Sequence, residues 1–421
     1  MKVLVIGNGA REHALAWKIA RSPHVDGIYA IPGNAGTAGI AHNIAISSSD
    51  LPAIIKKAQE LHIGLVVVGP EAPLAAGITD RFNQSGIPVF GPSGSAARLE
   101  SSKAFARELM VTHGIPCAAG REFTDYEEAK SYLKKQLAPI VVKADGLAAG
   151  KGVTVAETID EALFALDSMM KARVFGAAGD RVIIEECLTG REVSLLAFSD
   201  GKTVIPMVPA CDYKRVFDGD AGPNTGGMGS YSPPGFFDEG MVKQVTATVI
   251  KPVVDAMAAQ GSPYKGVLYT GLILTGRGPK VLEFNARFGD PETQAILPRL
   301  KTDLVDIMLA TVNGTLDKIK IEWSGDACAG VVLASGGYPG EYQTGRVISV
   351  SGDLEQDVNI FYAGAKKRPD GRIVTDGGRV LTVTATGKTL KAARDRAYRN
   401  IKYVNFEGMH YRTDIAEREV N

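Results

Sequence analysis

The stretch KVLEFNARFGDPETQ, residues 280–294, is the most specific part of this 421-residue chain. It begins with alternating apolar and polar residues, the pattern of a β-strand, in which residues two apart face the same side. Glu283, Asn285 and Arg287 are therefore predicted to project together from one face. An amphipathic edge strand is the alternative interpretation of this alternation. The abrupt RFGDPE turn that follows fits a functional site better than a plain edge strand.

The three polar side chains of this predicted strand suit a site for a nucleotide and a metal ion. A carboxylate and an Asn oxygen are hard ligands suited to Mg²⁺, which normally shares its coordination shell with nucleotide phosphates and water. Arg287 beside them could stabilise charge on a transferring phosphoryl group. Glu283 and Asn285 are therefore the candidate metal ligands.

Two stretches upstream predict contacts to the nucleotide. In VVKADGLAAGKGV, residues 141–153, a lysine ends a strand, and a loop with three glycines and a second lysine follows. Glycines let a backbone close over phosphates, and lysines supply the countercharge. The loop lacks the GxxxxGK[ST] spacing of a Walker NTPase. In IIEECLTGREVS, residues 183–194, paired carboxylates end a strand. They form either a solvated strand end or part of a site near adenine and ribose.

Two further stretches predict substrate contacts. CDYKRVFDGDAGPNTGGMGSYSPP, residues 211–234, is long and glycine-rich, so it is functional or disordered, and its apolar residues favour an ordered substrate loop. GNGAREH, residues 7–13, follows a strand and opens a helix, a geometry that favours an anion such as a substrate phosphate. A tight strand-to-helix turn is the plainer interpretation. As a dinucleotide motif it is poor, because Glu12 occupies the third glycine position.

The chain organises into three predicted domains, an α/β and α+β multidomain architecture. Residues 1–100 alternate unbroken apolar runs with helical patterns, which predicts a doubly wound parallel sheet. Residues 101–325 contain many strands and few regular helical crossovers, which indicates a mixed α+β domain. Helices are predicted near 95–113 and, as one long element, near 238–260. Residues 326–421 predict a mixed or antiparallel sheet and a helix from about 389 to 404.

Composition excludes several function classes. Lys plus Arg and Asp plus Glu both total 47, so the net charge is zero and nothing suggests a nucleic-acid partner. The four cysteines lie far apart, which argues against structural zinc and favours a reducing compartment. No apolar stretch approaches the roughly 20 residues that span a bilayer. We expect a cytoplasmic protein without a membrane partner, and a monomer.

Together these stretches resemble the ATP-grasp superfamily and, within it, the phosphoribosylamine–glycine ligase family. GNGAREHA, GPEAPL, KADGLAAGKGV, DGDAGPNTGGMG and NARFGDPETQ occur in the family's order along essentially the whole chain. The resemblance implies a central ATP-grasp domain with a small lid at about 121–190. It also implies that ATP, glycine and 5-phospho-D-ribosylamine give glycinamide ribonucleotide, ADP and phosphate through glycyl phosphate, in purine biosynthesis, with Mg²⁺ or Mn²⁺ bound.

The resemblance also implies roles for individual residues. Arg287 would face the acyl-phosphate centre, and Glu283 and Asn285 would bind the metal. The residues implied to bind ATP are Lys103, Lys143, Gly150, Lys151, Gly152, Glu185, Glu186, Leu188 and Glu192. The residues expected to bind the substrates are Gly9, Asp212, Lys214, Asn224 and Asp290.

The sequence leaves three other functions open. A sister ATP-grasp carboxylase would share the core but not the RFGDPETQ and GPNTGGMG strings. A nucleotide-binding regulatory module without turnover would not need the metal ligands and both lysines. A Rossmann oxidoreductase would need an acidic residue after the second strand to hold a ribose, and GIYAIPGNAG, residues 27–36, has none.

Overall fold

The structure is a computed structural model of the chain and describes residues 1–147 and 152–420. The predicted roles of Gly150 and Lys151 therefore lie outside the described residues. Within those ranges, no helix combines the length and the apolar character that a membrane span requires.

The N-terminal part is a five-stranded parallel sheet with the strand order β3-β2-β1-β4-β5, which confirms the predicted doubly wound sheet. Val3–Ile6 are fully buried, as expected of a parallel strand covered on both faces. The strand order reverses between β1 and β4, so the turns after these two strands border a crevice. The elements are β1 (Lys2–Gly7), α1 (Ala10–Ile19), β2 (Gly27–Pro32), β3 (His42–Asn43), α2 (Leu51–Glu60), β4 (Leu65–Val68), α3 (Glu71–Ala75), α4 (Ile78–Gln84) and β5 (Val89–Phe90).

The helix predicted near 95–113 is divided in two, α5 (Arg98–Ser101) and α6 (Lys103–Thr112). The break lies at Ser102, whose backbone is extended and whose hydroxyl accepts a hydrogen bond from the Phe105 N–H at 3.1 Å. A serine side chain that satisfies a free N–H favours the start of a helix over its interior. Lys103 consequently occupies the first turn of α6.

The lid predicted at about 121–190 contains an antiparallel sheet with the order β6-β9-β7-β8 and an apolar core of its own. Ala129, Leu133 and Leu166 are fully buried in that core, where two helices cover one face of the sheet. The elements are β6 (Gly120–Phe123), α7 (Tyr126–Leu133), β7 (Ile140–Ala144), β8 (Val153–Ala156), α8 (Ile159–Leu166) and β9 (Val182–Glu186).

The central sheet is antiparallel with the order β11-β10-β16-β17, and its last strand ends at Asn285, the first residue of the NARFGDPETQ motif. The long helix predicted near 238–260 is present as α9 and α10, joined through a wider turn at Thr246–Ile250. The elements are β10 (Arg191–Asp200), β11 (Val204–Pro206), α9 (Glu239–Val245), α10 (Lys251–Ala259), β16 (Lys265–Thr275), β17 (Gly278–Asn285), α11 (Glu292–Ile296) and α12 (Leu304–Asn313).

The C-terminal sheet is antiparallel with the order β12-β15-β18-β23-β20, and the predicted substrate loop contributes its first two strands. The sequence predicted only a loop there, because these strands are two to four residues long and a glycine-rich stretch separates them. The elements are β12 (Cys211–Asp212), β13 (Arg215–Phe217), β14 (Ala221–Asn224), β15 (Gly229–Ser232), β18 (Ala327–Ser335), β19 (Ser349–Val350), β20 (Val358–Tyr362), β21 (Ala365–Lys367), β22 (Ile373–Thr375), β23 (Arg379–Gly387), α13 (Leu390–Ile401), β24 (Val404–Asn405), β25 (Met409–His410) and α14 (Glu417–Val420).

A buried histidine joins the N-terminal part to the C-terminal sheet. His13 of α1 accepts the Tyr362 N–H at 2.9 Å through Nδ1, and its ring meets the edge of Phe361 at 5.7 Å between centroids. Asn34 donates from Nδ2 to the Tyr362 carbonyl at 2.6 Å. Burial lowers the pKa of His13 to about 4, so the ring is neutral and can accept this hydrogen bond at neutral pH.

We predict that acid weakens this contact. Because the folded-state pKa of His13 lies below its ordinary value of 6.5, the interaction is complete above pH 6.5 and is lost as pH falls toward 4. By pH 4 the free energy of unfolding is lower by about 3 kcal/mol, because each pKa unit between the folded and unfolded states corresponds to about 1.4 kcal/mol. The unfolding temperature Tm of the wild type should therefore fall more steeply between pH 6.5 and 4 than that of His13→Gln, in which residue 13 cannot titrate. Equal slopes for the two proteins would contradict the assignment.

Candidate active site

Lys143, at the end of β7, connects the lid to the central sheet. Its Nζ lies 2.5 Å from Glu185 Oε2 and donates to the Leu282 carbonyl of β17 at 3.3 Å. Arg107 Nη1 approaches the other carboxylate oxygen of Glu185 at 3.3 Å, and this carboxylate is buried. Glu185 therefore holds Lys143 in place between the two sheets, and the two predicted nucleotide residues are in direct contact.

Lys103 lies beside the start of the glycine-rich loop. Its Nζ donates to the Gly146 carbonyl at 2.9 Å. Burial and the neighbouring Lys143 ammonium lower the pKa of Lys103, while Glu283 opposes that shift. Two lysines close enough to repel one another form a ready site for an anion with several charges, such as a polyphosphate.

Glu283 lies among positive charges on β17. It is accessible to solvent, as expected of a carboxylate in an open cleft. Burial by the surrounding protein would raise its pKa, but Lys214, Lys143, Lys103 and Arg287 outweigh burial, and the net shift is downward. A carboxylate that stays ionised and reachable meets the first requirement of a ligand for a divalent cation.

Asn285 ends β17 on the same face as Glu283, and Arg287 follows two residues beyond the strand. Glu283 pairs in register with Gly271 and Asn285 with Tyr269, two positions apart on β16, so both side chains share one face as predicted. Arg287 Nη2 donates to Asn285 Oδ1 at 3.1 Å. A carbonyl oxygen has two lone pairs, which leaves Asn285 one for a metal ion.

Arg287 is fixed by two carboxylates from elsewhere in the chain. Its Nη2 lies 2.9 Å from Glu100 Oε1, and its Nε lies 3.5 Å from Glu71 Oε2. Glu100 also accepts the Ala286 N–H at 2.7 Å. Burial alone would lower the pKa of Arg287, but Glu100 and Glu71 outweigh it and the pKa is raised. The guanidinium therefore stays charged and is held in one orientation.

Carboxylates outnumber cations around Asp212. Burial raises the pKa of Asp212 to about 7, and the charges of Glu292, Glu192 and Glu283 add to that effect against the opposing Lys214. Lys214 Nζ lies 2.5 Å from Glu192 Oε2. A bound cation relieves the repulsion within such an acidic group.

The remaining predicted nucleotide residues lie at the edge of the cleft. Glu186 Oε1 accepts the Ala119 N–H at 2.9 Å and lies 2.7 Å from Lys280 Nζ. Leu188 is half-buried just after β9. Gly152 is buried, and its carbonyl accepts the Ala144 N–H at 2.8 Å. These contacts place backbone groups and a carboxylate beside the lid strands, as a nucleoside site requires.

The N-terminal turn approaches the cleft through Gly9. A Cβ atom on Gly9 would lie 2.7 Å from Glu12 Oε2 and 3.2 Å from Asp290 Oδ2, so the close approach requires glycine. The Glu12 carboxylate already accepts the Gly9 N–H at 2.6 Å. Glu12 thus fills the space beneath the turn. Asn224 lies farther out, exposed at the end of β14.

Several residues of the site did not emerge from the sequence analysis. Glu71 and Glu292 lie within quoted motifs but received no role, and Arg107 stands four residues after Lys103, a spacing that places both on one face of α6. Glu100 and Arg379 had no recognisable signal, since their partners are distant in sequence.

Comparison with known families accounts for nearly the whole chain. Residues 1–100, 101–293 and 328–418 match the N domain, the ATP-grasp (A) domain and the C domain of phosphoribosylglycinamide synthetase. A phosphoribosylamine–glycine ligase of Halalkalibacterium halodurans is 50% identical over 420 residues, which cover 100% of this chain and 97% of that protein.

Solved structures show the same relationship. The phosphoribosylamine–glycine ligase of Thermotoga maritima superposes with a TM-score of 0.86 at 34% identity, covering 99% of this chain and 100% of its own. The biotin carboxylase domain of Hydrogenobacter thermophilus 2-oxoglutarate carboxylase, in complex with MgADP and bicarbonate, has a TM-score of 0.75 at 16% identity. It covers 97% of this chain and 91% of its own, and it shares the fold.

Proposed function

The chain belongs to the phosphoribosylamine–glycine ligase family of ATP-grasp enzymes, and on that premise we propose how its cleft carries out the reaction. The enzyme uses ATP to join glycine to 5-phospho-D-ribosylamine in purine biosynthesis. The observation that carries our proposal is the Glu283–Asn285 pair on one strand face, with Arg287 beside Asn285 and with Lys103 and Lys143 among the cations near Glu283.

The proposed chemistry has two steps. A carboxylate oxygen of glycine attacks the γ-phosphorus of ATP, and the bond from that phosphorus to the bridging oxygen breaks, giving glycyl phosphate and ADP. The amine of phosphoribosylamine then attacks the acyl carbon, phosphate leaves with the former carboxylate oxygen, and the nitrogen loses a proton. No covalent enzyme intermediate is needed, so the protein acts by positioning and by neutralising charge.

The cations of the cleft support binding of the triphosphate. In this proposal Lys103 and Lys143 contact the ATP phosphates, and Glu185 keeps Lys143 oriented. Arg287 faces the acyl-phosphate centre, where its fixed positive charge stabilises the charge that develops during transfer. The residues proposed to complete the nucleotide site are Gly150, Lys151, Gly152, Glu186, Leu188 and Glu192.

An ATP-grasp enzyme works with a divalent metal ion, and we propose that Glu283 and Asn285 hold it here. An ionised, accessible carboxylate and an amide oxygen with a free lone pair suit Mg²⁺ and Mn²⁺ equally, because both take hard oxygen ligands. When bound, the ion neutralises phosphate charge and holds the triphosphate in a reactive geometry.

The phosphoribosyl substrate is proposed to lie where the N-terminal turn meets Asp290. Gly9 and Asp290 approach closely there, and the turn lies at the start of α1, where the helix dipole favours an anion. Asp212 at the end of β12 and Lys214 just after it border the same cleft, and Asn224 would approach the substrate from its hairpin. The predicted domain boundaries at 100 and 325 and the predicted monomer stay predictions.

A carboxylase of the ATP-grasp superfamily is the competing function, since a biotin carboxylase domain shares the fold. At 16% identity that likeness concerns the fold alone. Identity of 50% over the full length favours the ligase.

An isotope experiment tests the proposed reaction. We expect glycine labelled with ¹⁸O in both carboxylate oxygens to transfer one ¹⁸O atom to each phosphate released, as measured by mass spectrometry. ADP release should also require both glycine and phosphoribosylamine. Unlabelled phosphate would exclude carboxylate attack on ATP. Turnover with bicarbonate in place of glycine would instead indicate the carboxylase.

A substitution tests the metal site. We expect Glu283→Gln to reduce kcat about 100-fold or more, because the amide cannot neutralise a divalent cation although it fills the same space. Higher Mg²⁺ concentration should recover part of the loss. Glu60→Gln, which changes an exposed carboxylate paired with Lys57, is the matched control and should leave turnover unchanged. Normal activity of Glu283→Gln at ordinary Mg²⁺ concentration would remove Glu283 from this role.

A further inference from the structure

Arg379, the first residue of β23, extends from the C-terminal sheet into the substrate region. Its Nη2 lies 3.2 Å from Asp290 Oδ2, and its Nη1 donates to the Asp290 carbonyl at 3.0 Å. Nη1 also donates to the carbonyls of Gly226 and Gly227. One guanidinium therefore binds the turn after β17 and the GPNTGGMG segment at the same time.

The backbone around Arg379 is shaped to admit the guanidinium. A Cβ atom on Gly226 would lie 3.0 Å from Arg379 Cζ. Gly227 has φ +109°, a conformation that L side chains rarely adopt, and a Cβ there would collide with Pro291. The Gly226 N–H is held by the Tyr338 hydroxyl at 3.0 Å, another group of the C-terminal part. The two glycines thus allow the segment to lie directly against Arg379.

The groups that Arg379 holds are those nearest the proposed phosphoribosyl site. Asp290 Oδ2 is the atom that Gly9 approaches, so the N-terminal turn, the turn after β17 and the glycine segment converge at one point. Burial would raise the pKa of Asp290, but Arg379 is the largest of the opposing charges, and the net shift is downward. The carboxylate is therefore ionised and fixed in orientation.

We propose that Arg379 is a positioning residue through which the C-terminal domain holds Asp290 and the Gly226–Gly227 segment in place for phosphoribosylamine. This inference rests on the proposed function, because it assigns Asp290 to that substrate. Arg379 itself need not touch the substrate. Loss of the Arg379 guanidinium would leave Asp290 without its ion-pair partner and release the three backbone carbonyls of Gly226, Gly227 and Asp290. The cost therefore falls on one substrate and not on ATP.

Steady-state kinetics of the full chain test the proposal. We expect Arg379→Ala to raise the KM for phosphoribosylamine about tenfold or more, with the KM values for ATP and glycine within about twofold of wild type. Guanidinium ion at millimolar concentration should lower the raised KM, since it can occupy the vacated position. The KM of Arg379→Lys for phosphoribosylamine should lie between those of wild type and Arg379→Ala, because lysine keeps the charge but not the planar guanidinium.

A control and the contrary outcomes separate positioning from general stability. Arg372→Gln changes an exposed arginine of the same domain that pairs with Asp370, and should leave all three KM values unchanged. Unchanged KM for phosphoribosylamine in Arg379→Ala would overturn the proposal. The proposal would also be overturned by a loss of kcat/KM that is similar for all three substrates and that guanidinium reverses in neither Arg379→Ala nor Arg379→Lys. If wild-type turnover does not require phosphoribosylamine, the proposed function fails first, independently of Arg379.

Discussion

The ion pairs of Arg287 are the interaction on which the rest of the site depends. Taking a guanidinium out of water costs several kcal/mol, which carboxylates in good geometry must offset. Here Glu100 Oε1 lies 2.9 Å and Glu71 Oε2 3.5 Å away, one at the end of α5 and one at the start of α3. The end of β17 is thereby fixed to α3 and α5. This contact also fixes the positions of Asn285 and of the turn that leads to Asp290.

The cleft separates charge along its length. Glu283 faces an excess of cations that keeps its pKa low, whereas Asp212 faces an excess of carboxylates that, with burial, raises its pKa to about 7. Lys214 lies between these two environments and is bonded to Glu192. A triphosphate is favoured on the first side and a cationic group on the second.

Sequence predicted what local pattern determines and missed what distant contacts determine. Alternation along 280–287 predicted Glu283, Asn285 and Arg287 on one strand face, and the register of β17 agrees for Glu283 and Asn285. Arg287 lies beyond the end of the strand and contacts Asn285. The break at Ser102 was not predicted, because the side-chain cap that forms it competes with a strong helical pattern on both sides. The strands of 211–232 are too short to recognise without their partner β18, and Arg379 lies 89 residues from Asp290.

The most direct test of this account is a double-mutant cycle on Arg287 and Glu100, measured as kcat/KM for glycine. If Glu100 acts by orienting Arg287, the effects are strongly non-additive. Glu100→Gln should then reduce kcat/KM in the presence of Arg287 but change it less than about twofold in an Arg287→Gln background. Multiplicative losses, with Glu100→Gln equally harmful in both backgrounds, would show that the two residues act independently and would contradict the central role of this ion pair.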